Sequence, residues 1–122
     1  MLVLMLPFPP SVNQLWRFAR GRMYRSAVYK FWAADAERHL QAQGKPETVT
    51  YKCALEIAVG RPDRRRRDID NVNKAVLDLL QHCGVLADDS LVQDLRTYWS
   101  DEVVGVQVII KQLEKCNEPK PE

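Results

Sequence analysis

Hydrophobic residues in the first half of the chain form two stretches that predict β-strands. Residues 1–8 are a short apolar run ended by a proline cluster, which is the pattern of a buried strand because proline cannot continue a ladder. From Thr48 to Val59 apolar residues occupy alternate positions, so this segment predicts one long strand with one face in the core. Gly60 and Pro62 are expected to end it.

Two later stretches, 91–99 and 103–111, also alternate between apolar and polar residues and predict the last strands of the sheet. A short turn at residues 100–102 separates them. Because strands joined by a short turn usually pair with each other, we expect an antiparallel hairpin here.

The first predicted helix follows Ser26, a favourable N-cap residue, and ends before Gly44. Its apolar residues recur at helical spacing: Val28, Phe31, Trp32, Ala36 and Leu40. We assign Phe31 and Trp32 to the core on this basis.

The second predicted helix begins near Asn71 and has the clearest periodicity in the chain. Its apolar stripe consists of Val72, Ala75, Val76, Leu79 and Leu80. Gly84 is expected to adopt the left-handed conformation that ends many helices, with Val85 as the hydrophobic contact that follows it.

These elements predict a single-domain α+β fold over residues 1–113, with a mixed or antiparallel sheet of about four to five strands and two main helices. Residues 114–122 are polar and include two prolines, so we expect a flexible tail. The three cysteines are widely spaced and predict neither a disulfide framework nor a zinc site, which favours a reducing cytoplasm. No apolar stretch approaches the length needed to span a membrane.

Charge is distributed unevenly along the chain. Residues 1–74 carry 14 basic and 7 acidic side chains, whereas residues 75–122 carry 4 basic and 9 acidic ones. A cationic surface of this kind favours a polyanionic partner, and nucleic acid is the leading candidate.

The segment Asn13–Arg25 mixes aromatic residues with four arginines around a glycine. Aromatic rings among cations suit contacts with bases and phosphates, so a hairpin or exposed basic arm that touches DNA is one interpretation. The alternative is a surface hairpin whose aromatic side chains only pack against the protein.

The loop that precedes the second helix contains four consecutive arginines followed by Asp68-Ile69-Asp70-Asn71. In an extended chain, side chains two positions apart point the same way, so Asp68 and Asp70 can present carboxylates to one point. Two carboxylates held close together need a compensating cation. Oxygen ligands without His or Cys favour Mg²⁺, so a magnesium site is predicted here.

Three further residues could complete this site. Asp89, with Asp88 beside it, lies just after the second helix and could supply a third carboxylate if the chain folds back. Lys74 follows Asp70 by four residues, so both share a helical face. A lysine near a carboxylate cluster suits phosphoryl transfer. The alternative is that Asp70 caps the helix, Asp68 pairs with an arginine, Asp89 caps a turn and Lys74 belongs to a surface charge ladder.

These residues resemble the RusA family of Holliday junction resolvases. The matching stretches, in family order, are Leu6–Ser11 followed by Asn13, Arg20–Arg22, Pro62–Arg67, Asp68–Asn71 with Lys74, and Gly84–Asp89. The central stretch is highly specific, whereas the last two predicted strands match only in pattern.

The resemblance implies a homodimeric, Mg²⁺-dependent endonuclease that cuts four-way DNA junctions, from bacteria, phages or prophages. It implies metal-binding roles for Asp68, Asp70 and Asp89, a catalytic role for Lys74, and a supporting role for Asp88. The expected DNA-binding residues are Arg66, Arg67, Arg64, Arg65, Arg20, Arg22 and Asn13.

Two other functions compete with this interpretation. A DNA-binding module without catalysis would use the arginines alone, but it gives no reason for acidic groups beside them. A Mg²⁺-dependent nuclease that acts on flaps, other branched DNA or plain duplex would share the chemistry and differ in the DNA shape that it selects.

Overall fold

The computed structural model describes residues 1–10, 16–19 and 22–113, and for 16–19 and 22–25 it describes the backbone only. In chain order, the elements are β1 (Leu2–Leu6), β2 (Trp16–Ala19), β3 (Arg22–Arg25), α1 (Ala27–Ala42), β4 (Cys53–Val59), α2 (Asp70–His82), β5 (Val92–Trp99) and β6 (Val106–Gln112). A short 3₁₀ turn, Asp89–Leu91, precedes β5. The predicted α+β class with two main helices is confirmed. Within the described ranges, no helix has the length and apolar character needed to cross a membrane.

Four strands form one mixed sheet in the order β1-β6-β4-β5, and β2 and β3 form a separate antiparallel hairpin. β4 is central, parallel to β5 and antiparallel to β6, and β6 is antiparallel to β1. The expected antiparallel pairing of the last two strands is therefore wrong, because β4 lies between them. Two backbone bonds hold the connection to β4 instead: Ser100 N to Val59 O at 2.8 Å and Gly60 N to Gly105 O at 2.8 Å.

Gly105 shows why this connection is not a hairpin turn. Its φ is +83°, and a Cβ added there would meet Leu6 O at 2.5 Å, so the chain passes close against the end of β1. The alternating burial along β6 suits an interior strand, whereas Gln93–Arg96 in β5 are exposed, as expected at a sheet edge.

The strand predicted over Thr48–Val59 is shorter than expected, because only Cys53–Val59 joins the sheet. Val49 is buried but pairs with the turn that follows α2. Its N–H donates to Val85 O at 2.8 Å, and its carbonyl accepts from Ala87 N at 3.0 Å. The apolar alternation thus covers two separate segments, one paired with the turn after α2 and one with the sheet. A sequence pattern does not tell these partners apart.

The N-cap predicted for α1 is confirmed, because Ser26 Oγ accepts a hydrogen bond from Tyr29 N at 3.0 Å. Trp32 is buried as expected, but Phe31 is 76% exposed and its assignment to the core is wrong. Each helical residue turns by about 100°, so a stripe centred on Tyr29, Trp32 and Ala36 leaves Phe31 on the outer side.

The apolar stripe predicted for α2 is fully buried, and it packs with α1 against one face of the sheet in a single core. Gly84 has φ +76°, as predicted for the residue after the helix end. Val85 N donates to Leu80 O at 2.8 Å and Gly84 N donates to Gln81 O at 3.2 Å. This pair of backbone hydrogen bonds is a Schellman motif, and it redirects the chain toward Asp88 and Asp89.

Candidate functional site

The loop between β4 and α2 is organised around one carboxylate, Asp63. Asp63 Oδ2 accepts from Arg67 Nη2 at 2.8 Å and from Arg65 Nε at 3.1 Å, and Asp63 Oδ1 accepts from Arg65 N at 2.9 Å. These bonds hold the pKa of the Asp63 carboxyl well below its usual range, and the bond from Arg67 makes the largest contribution. A depressed pKa keeps the contact ionised at neutral and mildly acidic pH, and the contact weakens only as the pH falls through that lowered value.

The four arginines of this loop differ in their surroundings. Arg64 and Arg66 are exposed, and Arg65 is also exposed although it pairs with Asp63. Arg67 is the most buried of them, and its guanidinium lies 5.4 Å from the Phe8 ring centroid. Arg67 is therefore held in place by a carboxylate and an aromatic ring together.

The proline segment after β1 forms the other wall of the site. Pro7 O accepts a hydrogen bond from Trp32 Nε1 at 3.1 Å, which anchors this segment to α1. A groove of about 320 Å³ runs between the proline segment and the start of α2. Its lining residues are Phe8, Pro9, Pro10, Arg66, Arg67, Asp68, Asn71 and Val72.

Asp68 and Asp70 stand at the start of α2 with exposed side chains. Among the residues that the structure describes, neither alternative role is found: the N-cap position of α2 makes no side-chain cap, and the carboxylate that pairs with Arg65 and Arg67 of this loop is Asp63. Within the described ranges, no side-chain hydrogen bond or ion pair engages either carboxylate. Asp68 lines the groove, and Asp70 is exposed next to Asn71, which also lines it.

Lys74 lies one turn further along α2 and is about half exposed. Its Nζ is 3.4 Å from Asp78 Oδ2, so one pair of the alternative charge ladder of Asp70, Lys74 and Asp78 is present. Asp78 is partly buried, but a helical pair four residues apart contributes only a few tenths of a kcal/mol, so a stronger anion could displace this contact.

Asp88 and Asp89 lie at the other end of α2. Asp89 N donates to Gln81 Oε1 at 3.1 Å, and Ser90 Oγ donates to Asp88 Oδ2 at 2.7 Å. The Ser90 hydroxyl is the main cause of a lowered pKa at Asp88. The Asp89 carboxylate itself is exposed.

One copy of the chain does not bring all three predicted metal ligands together. Asp70 is the first residue of α2 and Gln81, which binds Asp89, is in the last turn, so about 16 Å of helix axis separates them. Thr97, near the end of β5, donates to Asn73 at 2.6 Å, which shows that β5 runs antiparallel to α2. Among the residues that the structure describes, no group of three or more His, Cys, Asp or Glu side chains could hold a metal ion. Convergence of Asp68, Asp70 and Asp89 stays a prediction.

The predicted DNA-binding residues divide between the described and undescribed parts of the chain. Arg64–Arg67 lie together in the loop beside the groove. Asn13 and Arg20 lie outside the described residues, as does the predicted tail 114–122, and of Arg22 only the backbone in β3 is described. Sequence reasoning missed Asp63, although its position two and four residues before Arg65 and Arg67 was a usable signal.

Comparisons with known proteins agree on one family. The family described as "Endodeoxyribonuclease RusA" matches residues 7–111. The relatives named crossover junction endodeoxyribonuclease RusA include one phage protein and two bacterial ones. The protein from Enterobacteria phage HK97 is 31% identical over 106 residues, covering 87% of this chain and 88% of its own. The one from Aquifex aeolicus (strain VF5) is 33% identical over 106 residues (87% and 83%), and the one from Escherichia coli (strain K12) is 33% identical over 113 residues (93% and 94%).

Proposed function

Because the chain belongs to the RusA family of endodeoxyribonucleases, we propose that it is a Holliday junction resolvase that cuts four-way DNA as a homodimer with Mg²⁺. The observation that carries the proposal is the groove in which Arg66, Arg67 and Asp68 line one surface. Cations that grip a phosphodiester and a carboxylate suited to a metal are the two components that phosphodiester hydrolysis needs side by side. The phage and bacterial relatives favour a similar origin and a cytoplasmic location.

The donor set at the start of α2 fits Mg²⁺. Asp68 and Asp70 offer exposed carboxylate oxygens, and Mg²⁺ in phosphoryl-transfer sites is usually held by one or two carboxylates together with waters and substrate phosphate. Bound there, Mg²⁺ would supply positive charge against the phosphate as negative charge builds up during hydrolysis. Lys74, on the same face of α2 as Asp70, would stabilise that charge with its ammonium group, and Arg66 and Arg67 would hold the DNA backbone.

The position of Asp89 supports a site shared between two copies. Since Asp89 lies at the far end of α2 from Asp70, a third carboxylate for the metal would come from Asp89 of a second copy. A two-fold dimer forms two such sites, and a junction needs two opposed strands cut in one binding event. Asp88, whose carboxylate binds Ser90, would support the 3₁₀ turn that presents Asp89.

The proposal is tested by incubating the purified protein with a synthetic four-way junction, a flap and a linear duplex, each with Mg²⁺ or with EDTA. We expect paired, symmetric cuts in the junction that require the metal, and weaker cutting of the other two substrates. Equal cutting of flap and junction would favour a less selective nuclease, and binding without cutting under all conditions would favour a DNA-binding module.

Replacing Asp63 tests whether the fixed geometry of the arginine loop matters. Asp63→Ala removes a negative charge beside phosphate-binding groups, so junction binding should be at least as tight and its logarithmic salt dependence steeper by about one unit. Cleavage of bound junction should nevertheless slow by about five- to ten-fold, because Arg65 and Arg67 lose the contact that orients them. Glu47→Ala serves as the charge-matched control, because it removes an exposed carboxylate outside this loop. Unchanged salt dependence together with unchanged cleavage would show that Asp63 does not organise this loop.

A further inference from the structure

Among the described strands, none pairs with the outer edge of β5. This strand spans eight residues and pairs only with β4 in the described part of the chain. The side chains from Gln93 to Arg96 are exposed, and Leu95 is 40% exposed despite being a large apolar residue. An edge of this length presents a row of backbone N–H and C=O groups that another strand can bind.

The charges on this edge are self-complementary. Asp94 and Arg96 flank Leu95, so an antiparallel copy of β5 centred on Leu95 would place Asp94 opposite Arg96 of the second copy, twice over. A shift centred on Asp94 or on Arg96 would instead oppose like charges, which is unfavourable across strands. Edge-strand charges often prevent pairing, but in this order they favour one two-fold register.

The side chains are placed to allow this pairing. Leu95 aligns with Leu55 and Thr97 with Ile57, so both lie on the face of the sheet that carries the helices. Arg96 lies on the opposite face, where its Nη1 is 3.5 Å from Glu56 Oε2, yet its side chain remains 70% exposed. Its guanidinium can therefore contact a second carboxylate while it keeps the first.

The same register determines which end of each copy meets the other. Gln93 would lie opposite Thr97 of the second copy, and Thr97 is bonded to Asn73 near the start of α2. The turn that contains Asp89 directly precedes β5. In this register Asp89 of one copy would therefore lie near the end of β5 of the second copy, which is the end where Asp68 and Asp70 of that copy begin α2.

We propose that the free edges of β5 from two copies pair antiparallel about Leu95, which joins two four-stranded sheets into one continuous sheet. This inference rests on the homodimer of the proposed function, and it names the surface that forms it. The two-fold axis would pass beside Leu95, so the two copies would bury the exposed leucines against each other.

The test is a charge-exchange pair measured by sedimentation equilibrium, with the 14.1 kDa chain as the monomer reference. Asp94→Arg alone and Arg96→Asp alone each create two like-charge contacts in a homodimer, so each should weaken dimerisation by at least about tenfold. An equimolar mixture of the two variants restores opposite charges at both contacts, and it should form mixed dimers nearly as tightly as the unaltered chain forms its own. Glu47→Arg is the control for the charge change, and circular dichroism checks that every variant is folded.

The outcomes separate this interface from the function that it serves. A monomeric unaltered chain would overturn both the homodimer and the β5 interface. A dimeric chain whose two variants dimerise as tightly as before, or whose mixture fails to recover, would overturn the β5 interface and leave the homodimer standing. Recovery of the mixture would support the interface whether or not the same dimers cut DNA.

Discussion

Asp70→Asn is expected to lower junction cleavage by more than about a hundred-fold while leaving junction binding within about twofold. The substitution removes the charge of a proposed metal ligand at the start of α2 but keeps the shape of the side chain and every arginine of the loop. Changes in residues that merely support metal ligands typically cost about 10- to 100-fold, so loss of a ligand should exceed that range. Single-turnover cleavage measures the first effect, and gel-shift titration in Ca²⁺ or EDTA measures the second.

Asp35→Asn provides the matched control for this substitution. Asp35 is a helical aspartate on α1 whose carboxylate pairs with Arg38 at 3.2 Å, and it is not among the residues that line the groove. This variant should bind and cut like the unaltered protein. If Asp70→Asn cut the junction at a comparable rate, Asp70 would not be a metal ligand and the site assignment would fail.

Mixing two inactive variants is expected to restore activity if the site is shared between copies. Asp70→Asn and Asp89→Asn should each be inactive alone, because every site in either homodimer lacks one ligand. In a mixed dimer, one site combines both altered residues, and the other combines an intact Asp70 with an intact Asp89. Random association makes about half of the dimers mixed, so about a quarter of all sites become functional.

The products of the mixture distinguish this arrangement from its alternatives. A mixed dimer has one working site, so we expect nicked junctions in place of paired cuts, from co-expressed chains assayed with Mg²⁺. A site built within one copy predicts no recovery, since each chain would then carry its own defect. Paired cuts from the mixture would contradict both arrangements.

Local patterns predicted the helices better than the pairing of the strands. The stripe of α2, its start at the Asp68–Asn71 segment and its end at Gly84 all follow from residues within a few positions of each other. The neighbours of β5 and β6 depend instead on β4, which lies more than thirty residues earlier in the chain. Alternation indicates that a strand has a buried face, but it carries no information about which strand lies beside it.

The sequence proposes Asp68, Asp70 and Asp89 as site residues, but it does not show how far apart they lie in one copy of the chain. The placement of Asp68 and Asp70 beside the start of α2 follows from their spacing, because two residues apart is a local relation. The expectation that Asp89 returns beside them depended on the path after α2. The Schellman motif at Gly84 and the bond from Asp89 N to Gln81 hold Asp89 at the distal end of the helix. Asp63 was overlooked because its role depends on the conformation of the loop rather than on a motif.

The placement of β6 between β1 and β4 has a consequence during synthesis. β1 leaves the ribosome before the other described strands, yet its pairing partner β6 is the last of them, so within this sheet only β4 and β5 can pair until Val106–Gln112 has emerged. Such long-range pairing is slow to form compared with local contacts. We therefore expect the nascent protein to be inactive until β6 has been translated. A premature stop codon before Val106 should yield an aggregation-prone, inactive fragment.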